Sequence, residues 1–493
     1  MRPVALVVLA ALSVLGSIPP AVALAAKATK PASTATPAPA PAPAAAASTD
    51  LTAGAGGTGR GMTADEAVKI ALQKSGDIVR SNANVLTARS GLWGAYSGVL
   101  PSVTLEGSRG GESTRDSRGF QAFGSAPIPN FSRDFTGYNG SWGLTGRWAI
   151  LDPAGIVGLS SARAGMKAAE LGNKSSRADV TLATKRQFYT TVKSMWLAVV
   201  QARALKLARD DERRVRALFE VGSVSKSDLL KAQVATASAE LDSTLADHDV
   251  ITQRLLLASQ LGIPQEQLGD VDSTLSNVHE TLDATGVLEE ARKNRPDILA
   301  AEAGMKSAEL ALRSAHWGRL PAVILQGSYT PNSVTSSNFT RGVFDLTTGA
   351  YVGEAHTDLS SKVKDDYRGS IALSMPIFDG FATDSRVAAA RSQLLNAKET
   401  HDALLRNLQS EVRQSLLSYQ EATEREALAR RAMESASENL NLIQQKYNVG
   451  SATILDLIDA QVQLQRAASE LVSALADIRV AEALVDRVRG KGE

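Results

Sequence analysis

The chain has 493 residues, a formal net charge of +1, five histidines and no cysteine. The near-neutral charge argues against nucleic acid as a partner, and the absence of cysteine excludes disulfides and thiol nucleophiles. With only 5% aromatic residues, the composition favours long packed helices over a compact aromatic core.

The N-terminus carries an export signal. Arg2 precedes an apolar run over residues 4–18, and the small residues Ala23 and Ala25 fit a cleavage site. The run is shorter than the roughly 20 residues that a spanning helix needs. We therefore expect residues 1–25 to be a cleaved signal peptide and residues 26–62, rich in Pro, Ala and Gly, to be a flexible linker.

The remainder is an internal duplication. Eight residues recur at an offset of 228 positions between residues 219–234 and 447–462. The first copies are Val221, Gly222, Ser223, Asp228, Leu229, Ala232, Gln233 and Val234. Residues 98–108 likewise match residues 318–328. Matches over this length indicate two repeats of one architecture, which we assign to residues 63–283 and 284–489.

Each repeat is dominated by helical periodicity. Thr63 and Glu66 have the spacing of a capping box and predict a helix that ends near Ser97. Residues 152–221 and 379–449 predict helices of about 70 residues, or about 100 Å. The apolar seam predicts coiled-coil packing and comprises Leu405, Leu408, Val412, Leu416, Tyr419, Leu464, Ala468, Leu471, Leu475 and Ile478.

After Pro101 and Pro321 the apolar period changes to two, which predicts two strands per repeat. The alternating apolar positions are Val103, Leu105, Gly107, Trp142, Leu144, Gly146, Trp148, Val323, Leu325, Tyr329, Tyr367, Ile371, Leu373 and Met375. A transmembrane strand and an ordinary half-buried strand both show this alternation. The polar residues 111–137 and 331–366 predict long loops between the strands.

The ordered pattern of helix, Leu-Pro, two strands, Asp and a long hairpin with a Val-Gly-Ser tip, given twice, resembles the TolC-like outer-membrane efflux protein family over about residues 63–489. The resemblance implies a mainly α fold with a β-barrel portion: long antiparallel coiled-coil hairpins plus four transmembrane strands per chain. It further implies a homotrimer with a twelve-stranded barrel and an α-helical tunnel, in the cell outer membrane with a long periplasmic extension.

The family also implies a function: a passive exit duct of a tripartite efflux or type I secretion system. Its partners would be outer-membrane lipid, a periplasmic adaptor protein and, indirectly, an inner-membrane pump. The sequence does not specify the substrate or the pump. The alternative is an exported periplasmic coiled-coil scaffold or adaptor without a membrane barrel. The histidines lack metal-ligand spacing and no nucleophile motif occurs, so we expect no enzyme, metal or cofactor.

Three sets of residues follow from the resemblance. The adaptor-contact tips are Val221, Gly222, Ser223, Val449, Gly450 and Ser451; the periplasmic gate is Asp456, Asp459 and Asp228; the lipid-facing strand positions are Trp142, Leu144, Trp148 and Leu373. The aspartates also lie where helix-capping acids are favoured, so a gate role and a cap role both stay open.

The tip departs from the family pattern at one position. The family's basic residue two positions after the second tip glycine is replaced by Ala452, and Lys226 is the local basic candidate. The sequence therefore leaves open what holds the hairpins closed.

Overall fold

The computed structural model describes residues 61–116, 133–275, 283–330, 333–345, 347–348, 351–363 and 365–491. The predicted signal peptide and all but the last two residues of the predicted linker lie outside these ranges. The first repeat contains α1 (Ala64–Lys74), α2 (Gly76–Ser97), β1 (Ser102–Asp116), β2 (Arg133–Leu151), α3 (Pro153–Glu220) and α4 (Lys226–Leu261). The second contains α5 (Ala284–Asn294), α6 (Pro296–Trp317), β3 (Ala322–Thr330), β4 (Ser333–Phe344), β5 (Tyr351–Val363), β6 (Asp366–Ser374), α7 (Ala382–Asn448) and α8 (Ile454–Arg489).

The first helix of each repeat begins as expected but is broken. Thr63 and Glu66 form the predicted capping box. The prediction of one continuous helix to Ser97 is wrong, because Ser75 has an extended ψ of 136° and separates α1 from α2. In the second repeat Arg295 separates α5 from α6 in the same way. There the reason is Pro296, since a residue before proline is disfavoured in the helical region.

The long hairpins match the prediction in both repeats. The helices α3 and α7 have 68 and 67 residues, and the returning helices α4 and α8 have 36 each. Asp152 caps α3 by accepting from the Gly155 N–H, with Pro153 at the first helical position. Within the described ranges, none of the helices is sufficiently long and apolar to cross a membrane.

The predicted coiled-coil seam is confirmed. Leu408 and Val412 of α7 and Ile478 of α8 are buried. A larger cluster joins α1, α2, α3, α4 and α8, and its buried members include Ile78, Phe188, Val192, Trp196, Leu257, Leu261 and Val472. These contacts pack the two hairpins side by side, with α3 of the first repeat against α8 of the second.

Ion pairs tie the repeats together at the break between α5 and α6. The buried Arg295 guanidinium donates to both Asp297 oxygens, at 3.0 and 2.6 Å, and to Glu411 Oε2 at 2.6 Å. Arg487 of α8 bonds the other Glu411 oxygen at 2.7 Å and Asp179 of α3 at 3.0 Å. Burial opposes ionisation of Asp297, but its bonds to Arg295 outweigh this and lower its pKa.

The sheet contains more strand than the sequence predicts. Residues 111–116 and 133–137 belong to β1 and β2, and β4 and β5 occupy most of residues 331–366. The loop prediction is therefore wrong for these residues, while residues 117–132 lie outside the described ranges. The strands β3 and β4 follow one another along the same edge of β2. Since β6 and β5 pair with them in turn, the sheet consists of four lines of strand, as predicted, but longer ones.

The partner of β2 changes from β3 to β4 between Leu144 and Gly140. Leu144 is opposite Tyr329 and Gly140 is opposite Val334, so the second line has one residue more than β2 between these pairs. Gly143 lies at this point, and a Cβ there would approach the Tyr329 carbonyl oxygen to 2.8 Å. Glycine is therefore needed where the two backbones come close.

Candidate functional site: the hairpin tips and the apolar sheet face

Both hairpin tips end their outgoing helix in the same way. Gly222 and Gly450 have φ values of +76° and +75°, the left-handed conformation that favours glycine. The next residue closes the turn in each case: the Ser223 N–H donates to the Leu218 carbonyl and the Ser451 N–H to the Lys446 carbonyl, both at 2.9 Å. This is the Schellman arrangement. It leaves Val221 and Val449 exposed by 74% and 79%, which presents an apolar side chain at each tip.

Two of the three predicted gate aspartates cap the returning helices. Asp456 closes a capping box with Thr453, accepting from its N–H at 2.8 Å and its hydroxyl at 2.7 Å. Asp228 accepts from the Ser225 hydroxyl at 2.7 Å. These bonds lower the pKa of the Asp456 carboxyl and, with a contribution from Lys231, that of Asp228. The Asp456 carboxylate is exposed and that of Asp228 is partly exposed, and both are ionised while serving as caps.

Asp459 differs from the other two. It is exposed, and among the described residues it has no hydrogen bond or ion pair within the chain. Its carboxylate is therefore free of any capping duty, so of the three aspartates it is the one whose charge has no structural explanation within one chain.

The basic residue near the tip is not the one expected. Lys231 pairs with Asp228 at 3.2 Å, within the same helix, whereas the candidate Lys226 has no ion pair among the described residues. Ala452 is partly buried. The contact between hairpins therefore has to come from elsewhere.

That contact is supplied by Asp211 of α3, which sequence reasoning missed. Its buried carboxylate accepts a hydrogen bond from Gln461 Nε2 of α8 and lies 3.6 Å from Arg214. Burial raises the pKa of Asp211. An apolar cluster beside it contains Val215 of α3 and Leu457 of α8. The sequence does contain a signal for this burial. Asp211, Val215 and Leu218 follow one another at intervals of four and three residues, which is the spacing of a buried helix seam.

The alternating positions of the four strand lines share one face. Cross-strand partners include Leu105 with Leu144, Trp148 with Leu325, and Val323 with Leu373. This face is exposed in the single chain: Trp142, Trp148 and Leu373 expose 49%, 41% and 73%, and Leu144 is half-buried. The aromatic rings of Tyr329 and Tyr367 stack at 4.7 Å at one border of it. An apolar surface of this extent on a sheet requires an apolar environment.

The helices α4 and α7 also carry exposed apolar side chains, although their repeat equivalents α8 and α3 pack together. Leu428 of α7 exposes 63%, whereas its repeat equivalent in α3, Val200, exposes 5%. Val200 lies in the cluster that includes Ala468 and Val472 of α8. By repeat equivalence, α7 has a face suited to an α4 helix that this chain does not supply.

The fold is shared with solved structures of bacterial outer-membrane channels. The Campylobacter jejuni CmeC outer membrane channel superposes with a TM-score of 0.69 at 17% identity, covering 87% of this chain and 86% of that one. Among curated relatives, Outer membrane protein TolC of Escherichia coli (strain K12) is 26% identical over 264 residues, 52% of this chain and 50% of its own. Nodulation protein T of Rhizobium leguminosarum bv. trifolii is 25% identical over 300 residues, 60% and 59% respectively. The chain thus spans little more than half the length of these relatives.

Residues 287–491 match the model of the Outer membrane efflux protein family. The matched segment runs from α5 to the end of α8.

Proposed function

We propose that three copies of this chain form a passive exit duct in the outer membrane. Each copy contributes four lines of strand to a twelve-stranded barrel and two hairpins to an α-helical tunnel that extends into the periplasm. A periplasmic adaptor joins the tunnel to an inner-membrane pump of an efflux or type I secretion system. The observation that carries the proposal is the exposed apolar sheet face at one end of two hairpins of matched length.

Two features support association with further copies. In the described sheet β1 pairs only with β2 and β6 pairs only with β3, so both edges are open, and lipid does not tolerate open edges. The unmatched apolar faces of α4 and α7 need partners in the same way. Every copy has the same open strand edges and the same exposed helix faces. One neighbouring copy can therefore supply a strand partner and a helix partner at the same time.

The tips serve the periplasmic end in this proposal. Val221, Gly222 and Ser223, with Val449, Gly450 and Ser451, contact the adaptor through the exposed valines. The tunnel entrance carries rings of carboxylates from Asp459, Asp456 and Asp228, and a ring of negative charge favours cations. Asp456 and Asp228 also cap their own helices. The Asp211–Gln461 contact takes the closing role that Ala452 cannot fill, because it joins the two hairpins of one chain.

Cross-linking tests the association directly, because the chain has no cysteine. Repeat equivalence maps Asp211 and Gln461 onto Asn439 of α7 and Gln233 of α4. We expect a double variant, Gln233→Cys with Asn439→Cys, to give dimers and trimers with a short bis-maleimide. Each single variant serves as the control. Recovery of the protein as a soluble periplasmic monomer would instead favour the hypothesis of a coiled-coil scaffold without a barrel. Cross-linked products larger than a trimer would exclude the trimer.

A further inference from the structure

The apolar face of the sheet changes character partway along the strands. On β1 and β2 the last tryptophan of this face is Trp142, opposite Gly107, and it is followed farther out by Tyr138 at the position opposite Gly111. The next positions of β1 on the same face are Arg109, Gly111 and Ser113, all exposed. The face that carries Val103 and Leu105 near the helices is therefore polar farther from them.

The two strand lines of the second repeat, β3 with β4 and β6 with β5, show the same change from apolar to polar at the same level of the sheet. Beyond the Tyr329–Tyr367 pair, the register of the two strand lines continues through β4 and β5, with Ser336 opposite Ser360 and Asn338 opposite Asp358. Val334 is opposite Gly140, which places these even-numbered residues on the face of Trp142. Asn338, Asp358 and Ser360 are exposed.

The polar strands β4 and β5 are longer than the apolar strands β3 and β6, which have 9 residues each. β4 and β5 have 12 and 13 residues, which at about 3.3 Å per residue extend about 40 Å along the strand. With a tilt of about 40° they rise about 30 Å along the membrane normal. Charged residues on the lipid side are unfavourable within the hydrocarbon, so this part has to stand outside it.

We propose that β4, β5 and the adjoining ends of β1 and β2 form a polar collar outside the hydrocarbon, surrounded by the saccharide headgroups of the outer leaflet. The inference rests on the proposed outer-membrane location. Saccharide headgroups occupy the space directly beyond the hydrocarbon on the side away from the helices. Amide, hydroxyl and carboxylate groups such as those of Asn338, Ser360 and Asp358 suit sugar hydroxyls, which donate and accept hydrogen bonds. The collar thereby carries the exit beyond this layer.

Single cysteines in this cysteine-free chain test the collar in intact cells. A small membrane-impermeant maleimide is expected to label Asn338→Cys and Asp358→Cys at least tenfold more than Leu373→Cys, which lies on the apolar face. Persistence of the heat-sensitive oligomer on unboiled gels shows that each variant is assembled. Labelling no greater than that of Leu373→Cys in assembled protein would overturn the collar.

A polymer-linked maleimide tests the surrounding layer. It is expected to label Asp358→Cys severalfold more in cells with truncated outer-leaflet saccharide than in parent cells. Equal labelling in both would overturn the saccharide contact. Absence of the protein from the outer-membrane fraction is a separate result, because it refutes the proposed duct itself.

Discussion

Arg295 offers a quantitative test of how the bend between α5 and α6 is held against α7. Its equivalent in the first repeat is Ser75, which breaks the first helix without any charge. Replacing Arg295 by serine therefore gives the second repeat the residue that the first already uses at this bend. The substitution removes the cation between Asp297 and Glu411 and leaves both carboxylates in place.

The expected loss follows from the geometry. Arg295 is 5% exposed, and its partners Asp297 and Glu411 expose 19% and 37%. Breaking a fully buried pair costs about 3–5 kcal/mol, and the partial exposure of both carboxylates reduces this to about 3 kcal/mol. Since about 1.4 kcal/mol corresponds to a factor of ten, amide protection in α5 and at the start of α6 should fall about a hundredfold.

Hydrogen exchange of the full-length detergent-solubilised protein measures this loss locally. Arg292→Ser on the same helix is the control, because Arg292 is exposed and has no ion pair among the described residues. The pH dependence adds a second readout. The pKa of Asp297 is lowered in the folded chain, so its contribution is present above its unfolded pKa and disappears as the pH falls through the folded value. Equal loss of protection in both variants would refute the reasoning.

Further predictions concern the tips. Asp459→Asn should lower cation selectivity in planar bilayers without changing amide exchange, whereas Asp456→Ala should also speed exchange, because it opens the capping box; equal exchange in both would contradict this. Gly450→Ala should lower the free energy of local opening, measured by amide exchange, by about 1 kcal/mol, since a left-handed φ disfavours a Cβ. Gly269→Ala is the control and should change it little, because Gly269 has neither a positive φ nor close neighbours. Burial raises the pKa of Asp211 in the folded chain. The neutral form, which burial favours, is therefore lost as the pH rises through this folded-state pKa. Asp211→Asn should therefore match the wild type in acid and melt higher at neutral pH; a pH-independent difference would refute the assignment.

The sequence predicted those elements whose periodicity is kept over many turns. The long helices and the apolar strand positions belong to this group, because one buried face selects the residues at a fixed spacing. The outer ends of β1 and β2, and all of β4 and β5, lie in segments that the sequence predicts to be loops. The face of Asn338 and Asp358 is polar and the opposite face mixes Leu359 with serine and threonine, so the alternation is weaker than that of the apolar positions. Only the backbone pairing identifies them as strands.

The candidate site was predicted unevenly for a similar reason. Gly222 and Gly450 could be placed at the tips because a turn after a helix has local sequence signals. The Asp211–Gln461 contact joins residues 250 positions apart, and no local pattern connects them. For Asp456 the sequence left a gate role and a cap role open. The structure shows that the carboxylate caps α8 within a single chain.

The matched lengths of the hairpins have a consequence for how such proteins diverge. The outgoing helices differ by one residue and the returning helices have equal length, so the two tips lie level. An insertion of one turn in a single hairpin would raise its tip by about 5.4 Å and leave the other tip short of a shared docking plane. A change in hairpin length that keeps the tips level therefore requires two coordinated insertions in one gene. This condition slows drift in helix length while the exposed side chains remain free to vary.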